Sequence, residues 1–329
     1  MRSNNRNGSR AAWARGFMAL FAIVLAMGLA LAACPAEAAP FLYVANSVDN
    51  TVSVIDTATN TVVATIPVGT NPVQLAVTPD GTLHRESSVQ HGFGYPHGHQ
   101  HGDGTIPVGL LPDGIAITPD GTKVYVANSS SNSVSVIHRP GNTVVKTVPV
   151  GTDPVGAAVT PDGTRVYVAN YVTNNVSVIA RPGNTVVATV AVGTNPVGVA
   201  VTPDGTHAYV ANDSDNTVSV IRTATNTVVG LPIPVGSRPL GVAVTPDGTK
   251  VYVANINSGT VSVIGTATNT VVKTIPVGTG PVGVAVTPDG THVYVANRDS
   301  NNVSVIARPG NAVVAIPVGS GPSAVAIGP

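Results

Sequence analysis

A unit of about 42 residues recurs seven times along this chain. Each unit carries four short apolar runs, and such a unit cannot bury both of its faces alone. Stacked around an axis, units of this length close into a ring of β-sheet blades. Tyr-Val-Ala-Asn begins at Tyr43, Tyr125, Tyr167, Tyr209, Tyr252 and Tyr294. Thr-Pro-Asp-Gly begins at Thr78, Thr118, Thr160, Thr202, Thr245 and Thr287.

One unit shows the plan. Gly156 to Val159, Arg165 to Ala169, Val176 to Ile179 and Thr185 to Val190 read as four strands. The turn Thr160-Pro161-Asp162-Gly163 presets φ with proline and puts glycine where φ must be positive. Arg181-Pro182-Gly183-Asn184 has the Pro-Gly order of a type II turn. The fourth strand ends in proline at Pro67, Pro107, Pro149, Pro234, Pro276 and Pro317. A proline cannot donate to a ladder, so this strand is expected at the outer edge of each blade, and the small, apolar first strand at the axis.

The units are out of phase with the chain ends. The first complete motif, Phe41 to Ala45, is a second strand, and the chain closes on an orphan first strand, Ser323 to Ile327. The expected fold is therefore all-β: a seven-bladed propeller of four-stranded repeats, one blade being made of the C-terminal strand plus three N-terminal strands. Tyr at each second strand is read as blade packing with a local hydroxyl partner. The repeated Asn46, Asn128, Asn170, Asn212, Asn255 and Asn297 are read as Asx-turn or left-handed residues where that strand ends.

Tyr-Val-Ala-Asn, Val-Ser-Val-Ile, Asn-Thr-Val-Val, Ile-Pro-Val-Gly and Thr-Pro-Asp-Gly in fixed order resemble the YVTN family of propeller repeats, over Phe41 to Pro329. The chain has Ala where the family name has Thr; the literal Tyr171-Val172-Thr173-Asn174 falls in a loop, out of phase. The resemblance implies an extracytoplasmic propeller related to surface-layer proteins, used for binding or surface architecture. It carries no universal catalytic residues.

Arg2, Arg6, Arg10 and Arg15 precede an unbroken apolar run from Phe17 to Ala33, the layout of an export signal. Two cleavage readings compete. Leu31-Ala32-Ala33-Cys34 resembles a lipobox, which makes residues 1–33 the leader and Cys34 a lipidated N-terminus. Ala36-Glu37-Ala38 is an ordinary A-x-A site, which makes residues 1–38 the leader and 39–329 the propeller. The expected location is extracytoplasmic: secreted, periplasmic or at the cell surface. Cys34 is the only cysteine, so no intramolecular disulfide forms. Without the four leader arginines and Glu37, 12 Lys plus Arg face 15 Asp plus Glu with no basic run, which argues against nucleic acid. Membrane contact is expected only through a lipid on Cys34.

Residues 83–104 break the repeat, reading LHRESSVQHGFGYPHGHQHGDG. His97, His99 and His101 alternate, so an extended segment sets their imidazoles on one side, as a Zn, Cu or Ni site needs. Yet back-translated with suitable codons and shifted by one base, the same stretch spells YIANQASNTVSVIPTATNTVTA, which is the missing repeat. Two compensating frameshifts account for all the histidines here together, so no metal and no cofactor is assigned.

In a propeller, the second-to-third strand loops share one face with the loops joining consecutive blades. That face carries most of the variation: Asp49, Tyr171, Asp213, Asp215, Arg298 and Asp299 in one loop set, Asp153 and Arg238 in the other. Loops on a rigid scaffold are where binding concentrates, so these eight residues are the candidate surface for a protein, glycan or small molecule. The aspartates of Thr-Pro-Asp-Gly are turn residues. With no evident acid–base pair, the leading expectation is a monomeric, non-enzymatic binding or cell-surface scaffold. The alternatives are a propeller enzyme of lactonase-like or quinoprotein-dehydrogenase-like type and a His-tract metal binder. The enzyme needs carboxylates, histidines or arginines converging at the channel mouth, whereas the only histidines outside the irregular segment are His138, His207 and His292, two of them just after the turn on the opposite face.

Overall fold

The computed structural model describes residues 40–329 except 80–82, 88–97, 102–103, 140 and 329. The leader, Cys34, both cleavage sites and His97 lie outside the described residues. From Pro40 onward the chain is one compact unit of seven antiparallel sheets, and each run of four short apolar segments has become one blade.

Blade one joins Pro322–Gly328 to Phe41–Asn46, Thr51–Asp56 and Thr61–Pro67, the closure expected from the phase of the repeat. Leu42 pairs with Ile327 and Val44 with Val325. Blade two is Pro72–Val77, Leu83–Ser87, Gly98–His101 and Gly104–Pro107. Its irregular segment still forms short strands, with Glu86 opposite His99 and His84 opposite His101. Blade three is Pro112–Ile117, Lys123–Asn128, Ser133–His138 and Thr143–Pro149. Blade four is Pro154–Val159, Arg165–Asn170, Asn175–Ala180 and Thr185–Ala191. Blade five is Pro196–Val201, His207–Asn212 and Thr217–Arg222, with an outer strand split into Thr227–Val228 and Ile233–Pro234. Blade six is Pro239–Val244, Lys250–Asn255, Thr260–Gly265 and Thr270–Pro276; blade seven is Pro281–Val286, His292–Asn297, Asn302–Ala307 and Val313–Pro317.

The core lies between blades, because each blade presents valines on both faces. Tyr125, Val134, Val136 and Val148 of blade three pack on Val166, Val168 and Ile179 of blade four. Leu42, Val44 and Ile55 of blade one close the ring on Tyr294, Val303, Val305 and Ile316 of blade seven. The outer strand is the proline-ended one, as its missing N–H dictates. In blades one, three, four and six its register slips by one residue against the third strand. The bulged residue is the half-exposed Val63, Val145, Val187 or Val272. Such a bulge twists the free edge away from pairing with a second sheet.

Three local expectations are corrected. Tyr hydroxyls reach the next blade rather than a local partner: Tyr125 donates to Asn184 Oδ1 at 2.6 Å and Tyr209 to Asn269 Oδ1 at 2.6 Å. The strand-end asparagines are buried ties, not left-handed residues; Asn46 Nδ2 donates to Ser53 Oγ at 2.9 Å and Asn170 Nδ2 to Ser177 Oγ at 2.9 Å. In the turn after Arg181 the left-handed residue is Asn184, at φ 49°, rather than Gly183.

Candidate functional site at the channel mouth

Five of the seven first strands carry glycine at their third position, Gly114, Gly156, Gly198, Gly241 and Gly283, and there the strands approach closely around the axis. A Cβ on Gly156 would lie 2.0 Å from the carbonyl oxygen of Val197, and one on Gly198 would lie 2.1 Å from that of Leu240. No other residue fits so close an approach. The strands enclose a cavity of about 440 Å³, lined by Val155, Val197, Leu240 and Val282 on one side and by Gln74, Asp113, Arg298 and Ser323 elsewhere.

Two loop positions per blade adjoin the first strand, and of their side chains Arg298 lines the cavity. The residue after each second-strand asparagine donates its N–H to the residue that precedes the first-strand proline of its own blade: Tyr171 to Asp153 and Arg298 to Gly280, both at 2.8 Å. The accepting position requires a left-handed backbone, which Asn and Gly adopt at low cost. Asp153 and Arg238 hold it at φ 57° and 54°. Strained non-glycine residues of this kind persist where the surroundings over-determine them.

What holds Arg238 there is Asp213, from the neighbouring blade. Arg238 Nε and Nη2 donate to Asp213 Oδ1 and Oδ2 at 2.9 and 3.1 Å, a bidentate pair. The carboxylate side chain is 3% exposed and the arginine 49%, so a buried carboxylate anchors a half-exposed guanidinium. The phenol of Tyr171 donates to Asp213 Oδ2 at 3.4 Å. Burial, with the Asp213 charge adding to it, pushes the Tyr171 pKa up. The hydrogen bonds and charge of Asp213 likewise raise that of Arg238. Blades four, five and six thus contribute one side chain each to a Tyr–carboxylate–Arg cluster, with Asp153 beside Tyr171.

The other candidates divide. Asp49 and Asp215 are loop braces: Asp49 Oδ2 accepts the N–H of Ser320, and Asp215 Oδ2 that of Thr194, each at 2.6 Å. Ser131, Thr173, Ser258 and Ser300 hold the corresponding amide in other blades. Arg298 lines the cavity. Asp299 is exposed beside it, its amide bonded to Thr279 O at 3.2 Å. Gln74 and Asp113 line the cavity as well, departing from the Pro-Val-Gly that most first strands carry; only alignment of that motif across the units exposes them in the sequence. Among the described residues no three His, Cys, Asp or Glu side chains converge on one point.

Residues 186–313 match the sequence model of a lactonase family described as a seven-bladed β-propeller. Residues 97–230 match that of a choice-of-anchor I domain. No curated protein matches the sequence. Among solved structures, Kuenenia stuttgartiensis hydrazine synthase is 25% identical, covering 78% of this chain and 89% of that one at a TM-score of 0.69. A putative 6-phosphogluconolactonase from Bacteroides fragilis is 18% identical, covering 90% and 99% at 0.72. The periplasmic gluconolactonase of Pseudomonas aeruginosa is 21% identical, covering 88% and 98% at 0.71. The propeller is thereby common to all three. The expectation of a non-enzymatic scaffold is corrected: the lactonase match spans Asp213, Arg238 and Arg298, and Asp213 and Arg238 form a bidentate carboxylate–arginine pair within the loops.

Proposed function

We propose that this propeller is a hydrolase that opens a cyclic ester at the loop-face mouth of its channel. The observation that carries the reading is the lactonase-family match over the blades that supply the Asp213–Arg238 pair. The Tyr-Val-Ala-Asn motifs support kinship with YVTN repeats at the level of the repeat unit, and the leader supports an exported enzyme whose partner is the lactone itself.

Ester hydrolysis needs an activated water and a cation where negative charge develops. Asp153 is the open carboxylate of the cluster and takes a proton from water. The hydroxide attacks the carbonyl carbon, and the Arg238 N–H groups not engaged by Asp213 receive the oxyanion. Asp213 is a positioning residue, since it fixes the guanidinium and holds its charge. Collapse breaks the ring C–O bond, and the products sum to one hydroxy acid per lactone and water.

The test is acid release from simple γ- and δ-lactones by the purified protein. Arg238→Met should lower kcat by about 10²–10³-fold, the loss seen when one oxyanion donor is removed. Rates no greater than those of buffer across the panel would overturn the reading.

A further inference from the structure

The cluster contains one group that the hydrolysis above leaves without a task, the phenol of Tyr171. Seven of the eight tyrosines sit elsewhere: Tyr43, Tyr125, Tyr167, Tyr209, Tyr252 and Tyr294 are second-strand residues, and Tyr95 lies in the irregular segment. At the position of Tyr171 the other regular units carry Ser47, Ser129, Asp213, Ile256 and Arg298. The fold needs no aromatic ring there. Its backbone is nevertheless clamped on both sides, the N–H by Asp153 O at 2.8 Å and the C=O by Asn195 Nδ2 at 3.0 Å.

We infer that Tyr171 is a catalytic residue of the proposed hydrolysis, giving its phenolic proton to the ring oxygen as the lactone opens. The inference rests on the hydrolase reading. The geometry supports it on three counts. The residue is half-buried, its phenolic oxygen lies 3.4 Å from Asp213 Oδ2, and that same carboxylate fixes Arg238, so the donor and the oxyanion cation share one anchor. The titratable and charged groups around it are Asp213, Asp153 and Arg238; the balance of burial and the Asp213 charge against Arg238 keeps the proton on the phenol at neutral pH. In the step itself, the C–O bond breaks with its electron pair passing to the ring oxygen, which takes the phenolic proton. The tyrosinate then recovers the proton that Asp153 removed from water. No other reactant is consumed.

An alkoxide leaving group needs this proton, and a phenolate leaving group does not. The experiment therefore compares wild type with Tyr171→Phe on δ-valerolactone and on dihydrocoumarin. Expected is a fall in kcat of about 10²-fold on δ-valerolactone, the usual contribution of a general acid, with KM unchanged and dihydrocoumarin hydrolysis nearly intact. Equal losses on both substrates, or none on either, would overturn the inference while leaving the hydrolase standing. An inactive wild type would overturn both. Should Tyr171→Phe fail to fold, site-specific 3-fluorotyrosine at 171 replaces it: its more acidic phenol must move the alkaline limb of kcat/KM downward, and an unmoved limb counts against the role.

Discussion

Around the ring, single residues bolt each blade to the next. Tyr125, Tyr167 and Tyr209 donate to Asn184, Asn226 and Asn269 of the following blade, and Tyr294 donates to Asn60 across the closure. The acceptors are the left-handed turn residues, at φ 47–61° where that turn carries Asn, so one asparagine both permits the turn and caps a buried phenol. Tyr125→Phe removes the donor and leaves the buried Asn184 oxygen unpaired, which should cost about 1–2 kcal/mol in urea unfolding. The pH dependence follows. Burial raises Tyr125, Tyr209 and Tyr294 to about 12 from an ordinary 10.0. Between those values the folded state holds protons that the unfolded chain has released, so the contribution of these tyrosines to stability is full below pH 10 and falls as pH climbs toward 12. Tyr125→Phe should shallow that alkaline decline; an unchanged slope would refute the burial assignment. The tyrosine was legible in the sequence as a packing residue, but its acceptor was not. The partner lies 59 residues away and becomes a neighbour only once two blades are stacked.

Strands and turns obey local chemistry so closely that their order and edges could be read directly. Thr-Pro-Asp-Gly shows why: Asp162 accepts from Thr160 Oγ1 at 2.5 Å and from the Thr164 N–H at 3.0 Å. These hydrogen bonds hold its carboxyl below the ordinary range. The motif contains its own partners. The first strand differs, because what glycine does there depends on the neighbouring blade. Gly156→Ala sets a Cβ against the Val197 carbonyl, and the strands must part or bend. A loss of about 1–3 kcal/mol is expected, the usual cost of overpacking. Gly310→Ala, where an added Cβ meets nothing within 4 Å, is the matched control and should melt with wild type. If both variants melted together, the axial approach would not limit the ring. The same dependence on neighbours hid the candidate site. Asp213 and Arg238 were separately visible as loop variants, but 25 residues and a blade boundary separate them, and only the stacked loops turn them into a bidentate pair. Asp215 and Asp49 looked equivalent to Asp213 in the sequence, yet they bond backbone amides because they stand two residues further along the loop.

At the scale of the whole molecule, a mouth built from three consecutive blades holds its shape only while the ring is closed. Every sheet but one is made of consecutive strands; blade one alone joins the two ends of the folded unit. Its inner strand, Pro322–Gly328, pairs along Phe41–Asn46, and Val325 and Ile327 pack against the cluster that joins blades one and seven. Loss of that strand removes a ladder and an apolar wall together, and leaves Leu42 and Val44 facing water. Open rings of repeats also lose the mutual support that makes their unfolding cooperative. Deleting residues 320–329 should therefore lower the melting temperature and broaden the transition, and small-angle scattering should show an expanded particle. Lactone hydrolysis should fall with it, although no residue of the Asp153, Tyr171, Asp213 and Arg238 cluster is touched. A truncated protein that melts with the intact one would mean that the remaining strands close the ring unaided. A truncated protein that keeps its fold but loses activity would place an unrecognised contribution to the site in the last strand itself, where Ser323 lines the cavity.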